Sequence, residues 1–354
     1  MSKVYFIPVN GISSDEALAQ KLAELLVKED LLAFIAEKDM VAVKTHFGES
    51  LKSGFPRPVF LKTLGDLVKG KGALPFMTET STLYKGNRNN AVVHTEHAIK
   101  QGFDYASTGM SIIMADGLYG DEESDVKING RIYDSVKVAS LLLKSQSFVC
   151  ISHFTGHLVA GFGAALKNLG MGCASRRGKM VQHSTAKPEI SESRCTMCNQ
   201  CVIWCPTEAI TMKEKSALID QDTCIGCGEC LAVCRFDAVK YNWGATYEDL
   251  QKKVVEHAMG VHKVTENKSI YITLLTRISK DCDCMPAYEN ICPDLGVLIS
   301  FDPVSIDAAA IDLVEKHSGK KLSQMAYDIP YMFQVDYARE IGFGAPDYEL
   351  VEVK

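Results

Sequence analysis

The chain has 354 residues, 47% hydrophobic and 23% charged, which is the balance of an ordinary globular protein able to bury one large core and carry a smaller domain. A net charge of -6 excludes a general nucleic-acid binder, because phosphate contacts need a basic footprint. The opening MSKVYFIPVNG holds too short an apolar run for a signal-peptide core, and no stretch reaches the roughly 18 apolar residues of a membrane span, so the chain reads as soluble and cytoplasmic with no membrane partner.

KVYFIPV (residues 3–9) reads as a buried strand. Ser13 or Ser14 then caps a helix with Leu18, Leu22, Leu25 and Leu26 on one face. A strand at 39–47, a helix opened by Pro58 and closed by Gly70, a strand at 74–78 and a helix at 91–101 continue the alternation. Strands at 111–115 and 147–152 bracket a helix expected at 135–144. Beyond a cysteine-rich section the pattern resumes with strands at 269–276 and 296–301. The second runs into a helix capped by Asp302, with Pro303 at its first position and Gly319 at its end. The fold class is therefore α/β, a discontinuous and largely parallel-sheet domain (1–185 and 246–354) with an inserted α+β module at 186–245, whose cysteines make it ferredoxin-like as set out next.

Thirteen cysteines are unevenly spread, with only Cys150 and Cys173 before residue 190. Clustering of this kind points to metal ligation rather than a disulfide framework. CTMCNQCVIWCP supplies Cys195, Cys198, Cys201 and Cys205; CIGCGECLAVC supplies Cys224, Cys227, Cys230 and Cys234. The spacing C-x2-C-x2-C-x3-C thus occurs twice, eighteen residues apart. Three close thiolates on a tight loop reach three corners of a cubane, and the fourth, one helical turn on, reaches the partner cluster. One [4Fe–4S] cluster then takes Cys195, Cys198, Cys201 and Cys234, and the other Cys224, Cys227, Cys230 and Cys205. Zinc is the competing reading, but eight cysteines in this repeat exceed what one zinc site needs. Ala209-Ile210-Thr211 matches Ala238-Val239-Lys240, the internal repeat of a bacterial ferredoxin. The repeat departs at Arg235, which stands where the first half has Pro206.

The flanks TETSTLYKGNRNNAVVHTEHAIKQGF, IIMADGLYGD, SHFTGHLVAGFGAALKNLGMGCASRRGK and DLGVLISFDPVSIDAAAIDLV together resemble the iron–sulfur branch of the domain of unknown function 362 family, across nearly the whole chain. The resemblance implies an α/β domain carrying a two-cluster ferredoxin module, and no particular reaction.

In an open α/β sheet, ligands bind at the carboxyl ends of the strands. His153 and His157 sit in such a turn and are candidates for catalysis, against a bland reading as a hydrogen-bonded loop pair. His46 and Glu49, after another strand, are expected at the same crevice. Glu79, Thr80, Ser81, Thr82 and Arg88 crowd a third strand end, where an ordinary polar loop is the stronger reading. Gly161 and Gly163 lack the third glycine of a dinucleotide fingerprint, Leu166 standing in its place, and fit tight packing or an anion site instead. Lys167, Arg176, Arg177 and Lys179 form a basic run suited either to a small anionic substrate or to docking the inserted module. Asp302 and Asp307 resemble paired carboxylates, although N-capping accounts for Asp302.

Five cysteines remain once eight are assigned. Cys150 suits a buried strand as a small apolar residue, and Cys173 is ambiguous. Cys282, Cys284 and Cys292 in DCDCMPAYENICPD form a third metal or thiol-redox site, an ordinary loop or, least in keeping with a reducing compartment, a disulfide. The whole reads as an iron–sulfur redox protein whose clusters relay electrons from a redox partner protein or other low-potential donor to a substrate or additional metal ion in the crevice. The alternatives are a non-catalytic ferredoxin-type carrier and an iron–sulfur assembly or sensor protein.

Overall fold

The computed structural model describes every residue except 1, 13, 52–53, 84–85, 184–186, 225–228, 241–245, 266, 286–288 and 354. Strand β1 (Ser2–Pro8) leads into α1 (Asp15–Lys28), whose start is capped by the Ser14 hydroxyl accepting the Ala17 N–H. Then come β2 (Met40–Lys44), α2 (Pro58–Gly70), β3 (Leu74–Thr78), α3 (Ala91–Lys100), the short α4 (Tyr105–Thr108) and β4 (Ser111–Ile112). A hairpin of β5 (Glu123–Lys127) and β6 (Ser135–Ala139) precedes α5 (Ser140–Lys144) and β7 (Ser147–His153). A second, tight hairpin, β8 (Thr155–His157) and β9 (Gly161–Gly163), delivers the chain to α6 (Ala165–Gly170) and α7 (Arg176–His183).

The cysteine-rich section holds β10 (Glu189–Ile190), α8 (Gln200–Ile203), β11 (Ile210–Met212), β12 (Ala217–Ile219), α9 (Glu229–Val233) and β13 (Val239–Lys240). Among the described residues its strands pair with one another, β10 with β13 and β11 with β12. The chain then forms α10 (Tyr247–Thr265), β14 (Ser269–Leu275), β15 (Gly296–Ser300), α11 (Pro303–Ser318), α12 (Leu322–Met325), α13 (Phe333–Glu340) and β16 (Tyr348–Glu352).

Eight strands build one sheet in the order β16-β1-β15-β14-β7-β2-β3-β4. β15 runs antiparallel to both neighbours, and every other pair is parallel. β7, β14 and β15 are buried along their whole length, which is why they read as unbroken apolar runs. Their residues alternate between two cores. Val149, Ile151, Ile270 and Ile272 face the side covered by α1 and α2, while Phe148, Cys150 and Tyr271 face α6, α10 and α11.

The helix expected at 135–144 is half strand. Val136 and Val138 alternate with exposed or half-buried neighbours and pair with β5, so a period of two governs SVKVA and only SLLLK turns helical. α10 was not anticipated, although Leu250, Val254, Ala258 and Val261 mark its buried stripe. α6 meets α10 at Gly170, where an added Cβ would lie 2.0 Å from the Val254 carbonyl oxygen. Since α6 also carries Lys167, this close approach places a cation that matters below. A Gly170→Ala protein is expected to lose about 1–3 kcal/mol in urea unfolding, the cost of overpacking a tight contact. An unchanged midpoint would show that the helices separate freely.

Candidate functional site

β2 and β3 wind outward in one direction and β7 and β14 in the other, so the chain reverses between β2 and β7. Such a switch point leaves a gap beyond the carboxyl ends of its two strands. Here it opens into a crevice of about 430 Å³, a volume suited to a small molecule. His46 follows β2, Glu79 follows β3, His153 ends β7, and the loop holding Asp281 to Met285 follows β14; all line it.

Asp283 sits at its centre. Its Oδ2 lies 2.9 Å from His46 Nε2 and 2.7 Å from His153 Nδ1. Burial pushes the Asp283 carboxyl up, but His153 and His46 overcome it and hold the group well below the ordinary carboxylate range. The other nitrogen of His153, Nε2, lies 2.6 Å from the Thr276 carbonyl oxygen, so both ring nitrogens are engaged. His46 accepts the Gly48 N–H at Nδ1 and donates from Nε2. His157 behaves differently. Its Nδ1 accepts the N–H groups of Val159 and Ala160, at 3.1 and 2.9 Å, closing the β8–β9 hairpin. Burial, reinforced by Lys167 and His183, keeps it neutral. Of the two histidines in the glycine-rich turn, His153 is charge-coupled and His157 locks a loop.

The cations are equally ordered. Lys44 is fully buried, its Nζ 2.8 Å from Glu79 and 2.7 Å from Asn168 Oδ1. Burial raises the Glu79 carboxyl, and Lys44, with His94 and Lys179 beside it, more than reverses this. Lys44 lies beneath the crevice and braces Glu79 of its lining, a role the strand reading passed over, although a lysine closing the apolar run MVAV was the signal. Arg88 pairs with Glu49 at 2.9 Å. Lys179 donates to Thr80 Oγ1 and to the Ala174 carbonyl. Lys167 also lines the crevice, and its ammonium makes no hydrogen bond among the described residues. Burial lowers both Lys167 and Lys179 to about 8, with Asp283 opposing the shift at the first and Asp116 at the second.

The basic run is therefore divided, because Arg177 pairs with Glu123 outside the crevice. Glu79, Thr80, Thr82 and Arg88 line the crevice, whereas Ser81 bonds Asp116. Asp302 caps α11, and Asp307 takes the Ala165 and Leu166 N–H groups at the start of α6, burial raising it to about 7. They are two helix caps and not a catalytic pair.

The DCDC loop corrects the expectation of a third metal site. Cys282 and Cys284 are joined by a disulfide, and Cys292 lies in the main core away from the crevice, so the three do not converge on a metal ion. Among the described residues, no three His, Cys, Asp or Glu side chains form a single-ion site. The reason is local: residues two apart here have Cα atoms 5.3 Å from each other, within disulfide reach, while Cys292 is drawn inward by Ile278 and Leu295. Cys150 and Cys173 are buried small residues of the same core, and burial pushes the Cys150 thiol up to about 12.

In the cysteine-rich section, Cys195, Cys198, Cys201 and Cys234 surround one cavity. Burial, then the neighbouring thiols of Cys195, Cys198 and Cys234, raise Cys201. Four thiolates so placed repel one another unless positive charge stands between them. The chain repeat survives in detail. The Ala209 and Ala238 N–H groups donate to Cys205 and Cys234 Sγ at 3.2 and 3.4 Å, and the preceding Glu208 and Asp237 are both left-handed, at φ 55° and 50°. Cys205, Cys224 and Cys230 gather in the same small core, while Cys227 lies outside the described residues. Leu83 and Met180 enter that core from outside the section, and Arg235 places its guanidinium 4.3 Å above the Tyr119 ring.

With Glu79 and Asp283 each neutralised by a neighbour, Lys167 and Lys179 leave surplus positive charge facing the crevice. Inorganic phosphate is expected to bind there below about pH 8 and to weaken above it by up to about a hundredfold per pH unit, about tenfold for each of the two amines that loses its proton. Calorimetric titration across that range checks this, and Lys167→Met is expected to abolish the binding.

No helix among the described residues is long and apolar enough to cross a membrane. A stretch of 78 residues, 22% of this chain, is 35% identical to pyruvate synthase subunit PorD of Methanothermobacter marburgensis and covers 89% of that protein. The lactate racemase apoprotein of Thermoanaerobacterium thermosaccharolyticum is similar at 12% identity and a TM-score of 0.38, over 66% of this chain. A Thermotoga maritima protein is similar at 13% identity and a TM-score of 0.45, over 87% of this chain. The chain spans 49% and 59% of the length of those two structures. Residues 41–312 match the family model described as Domain of unknown function (DUF362), a span that holds His46, Lys167 and Asp283 together with all eight cysteines of the repeat. The chain belongs to the DUF362 family.

Proposed function

We propose that the protein is an iron–sulfur oxidoreductase in which residues 186–245 form an inserted ferredoxin-type module serving the crevice. Cys195, Cys198, Cys201 and Cys234 would hold one [4Fe–4S] cluster, and Cys205, Cys224, Cys227 and Cys230 the other. When bound, the clusters supply electrons one at a time from a low-potential donor protein. The likeness to a pyruvate synthase subunit is in keeping with such a partner.

The observation that carries this reading is the placement of α7. Lys179 and His183 face the crevice, while Met180, between them, packs into the core of the cysteine section beside Cys230. One helix is thus a wall of both compartments. Lys167 and Lys179 would hold a small anionic substrate by charge. His153 and His46 hold the Asp283 carboxylate at the crevice wall, which fixes the charge that a bound anion would meet. A purely carrier role gives no account of a crevice with this ordered charge.

Anaerobic purification with metal and sulfide analysis tests the reading. About eight irons per chain are expected, with little zinc, and EPR during reduction should show two interacting clusters. Cys198→Ala should lower the iron content while leaving the α/β fold intact by circular dichroism. Stoichiometric zinc in place of iron would sink the proposal.

A further inference from the structure

We infer that Cys282 and Cys284 are a reversible dithiol–disulfide pair, the two-electron acceptor built into the crevice wall. The inference rests on the reading that electrons reach the crevice, and adds what receives them.

Three observations carry it. Both cysteines line the crevice and are half-buried, so the bridge lies at the wall of the space a ligand would occupy. A bridge between residues two apart closes a minimal loop, so it removes little freedom from the unfolded chain and ties no distant elements together. The loop is in any case anchored by other bonds. Asp281 accepts the Tyr327 hydroxyl, Asp283 accepts from His46 and His153, and the Ser279 carbonyl accepts the Gly156 N–H at 2.8 Å. At Gly156 an added Cβ would stand 2.2 Å from the Lys280 carbonyl oxygen, so hairpin and loop are already in close contact. A structural role leaves the bridge redundant, whereas its position in a charged crevice gives it a chemical one. Lys167 lines the same crevice and supplies positive charge to it.

The step balances as follows. The S–S bond breaks, two electrons arrive singly from a low-potential one-electron carrier, which is oxidised, and two protons from solvent complete two S–H bonds. Cys292 takes no part, because it is buried in the core.

The test traps thiols of the full-length, anaerobic protein with N-ethylmaleimide in denaturant and reads the fragment carrying residues 281–294 by mass. Cys292 is labelled in every sample and serves as the internal control. In oxidised protein Cys282 and Cys284 should remain unlabelled. After dithionite-reduced methyl viologen both should be labelled, and a series of dithiothreitol buffers should give one transition with both labels appearing together. Labelling of the pair in every state, or in none, overturns the inference. In Cys198→Ser the dithiothreitol transition should persist while reduction by viologen slows. Equal viologen rates in the two proteins would instead overturn the relay reading and leave the pair standing.

Discussion

One carboxylate organises the crevice. Asp283 accepts from His46 and His153 through a single oxygen, so the loop after β2, the end of β7 and the loop after β14 are held at one point. Burying a carboxylate is costly, and the two imidazoles offset that cost. Taking away one partner of a buried ionic pair generally costs about 3–5 kcal/mol, because the charge left behind has no water to turn to. The spacing of three strand ends therefore stands or falls together. The DCDC loop has its position because Asp283 lies between its cysteines.

The same logic governs the remaining charge. Lys44 is buried beneath the crevice with Glu79 and Asn168 as partners, which stiffens the floor without adding field to the space above. Lys167 and Lys179 stand on the wall formed by α6 and α7 and supply the field that remains. α6 is itself held at both ends, by the Asp307 carboxyl at its start and the close approach of Gly170 to α10 at its end. A ligand-facing cation is thus placed by residues on the opposite side of its helix.

Some of this was legible in the residues and some was not. The strand-and-helix rhythm of the first hundred residues is plain because each element has its own period and cap, as with Ser14 and Asn90. Residues 135–144 misled because SVKVASLLLK is apolar enough for either state, and only pairing with β5 settles it. β16 gave no warning, since YELVE is mostly exposed and joins the sheet by adding to the edge at β1. The histidines of SHFTGH look alike in sequence, and their roles separate only because the chain turns between them: one ring reaches Asp283 and the other folds back on Val159 and Ala160.

The sequence by itself determined the local facts: which segments are apolar with which period, where helices begin, and that two cysteine units repeat at matching spacing. These depend on residues a few positions apart, so they can be read along the chain. Tertiary structure decided which strand ends meet. His46, Glu79, His153 and Asp283 are separated by up to 237 positions, and nothing in their neighbourhoods says that β2 and β7 lie side by side with the winding reversed between them. It also decided the meaning of DCDC, because a cysteine pair becomes a crevice residue only when the aspartate inside it is caught by two histidines from other strands.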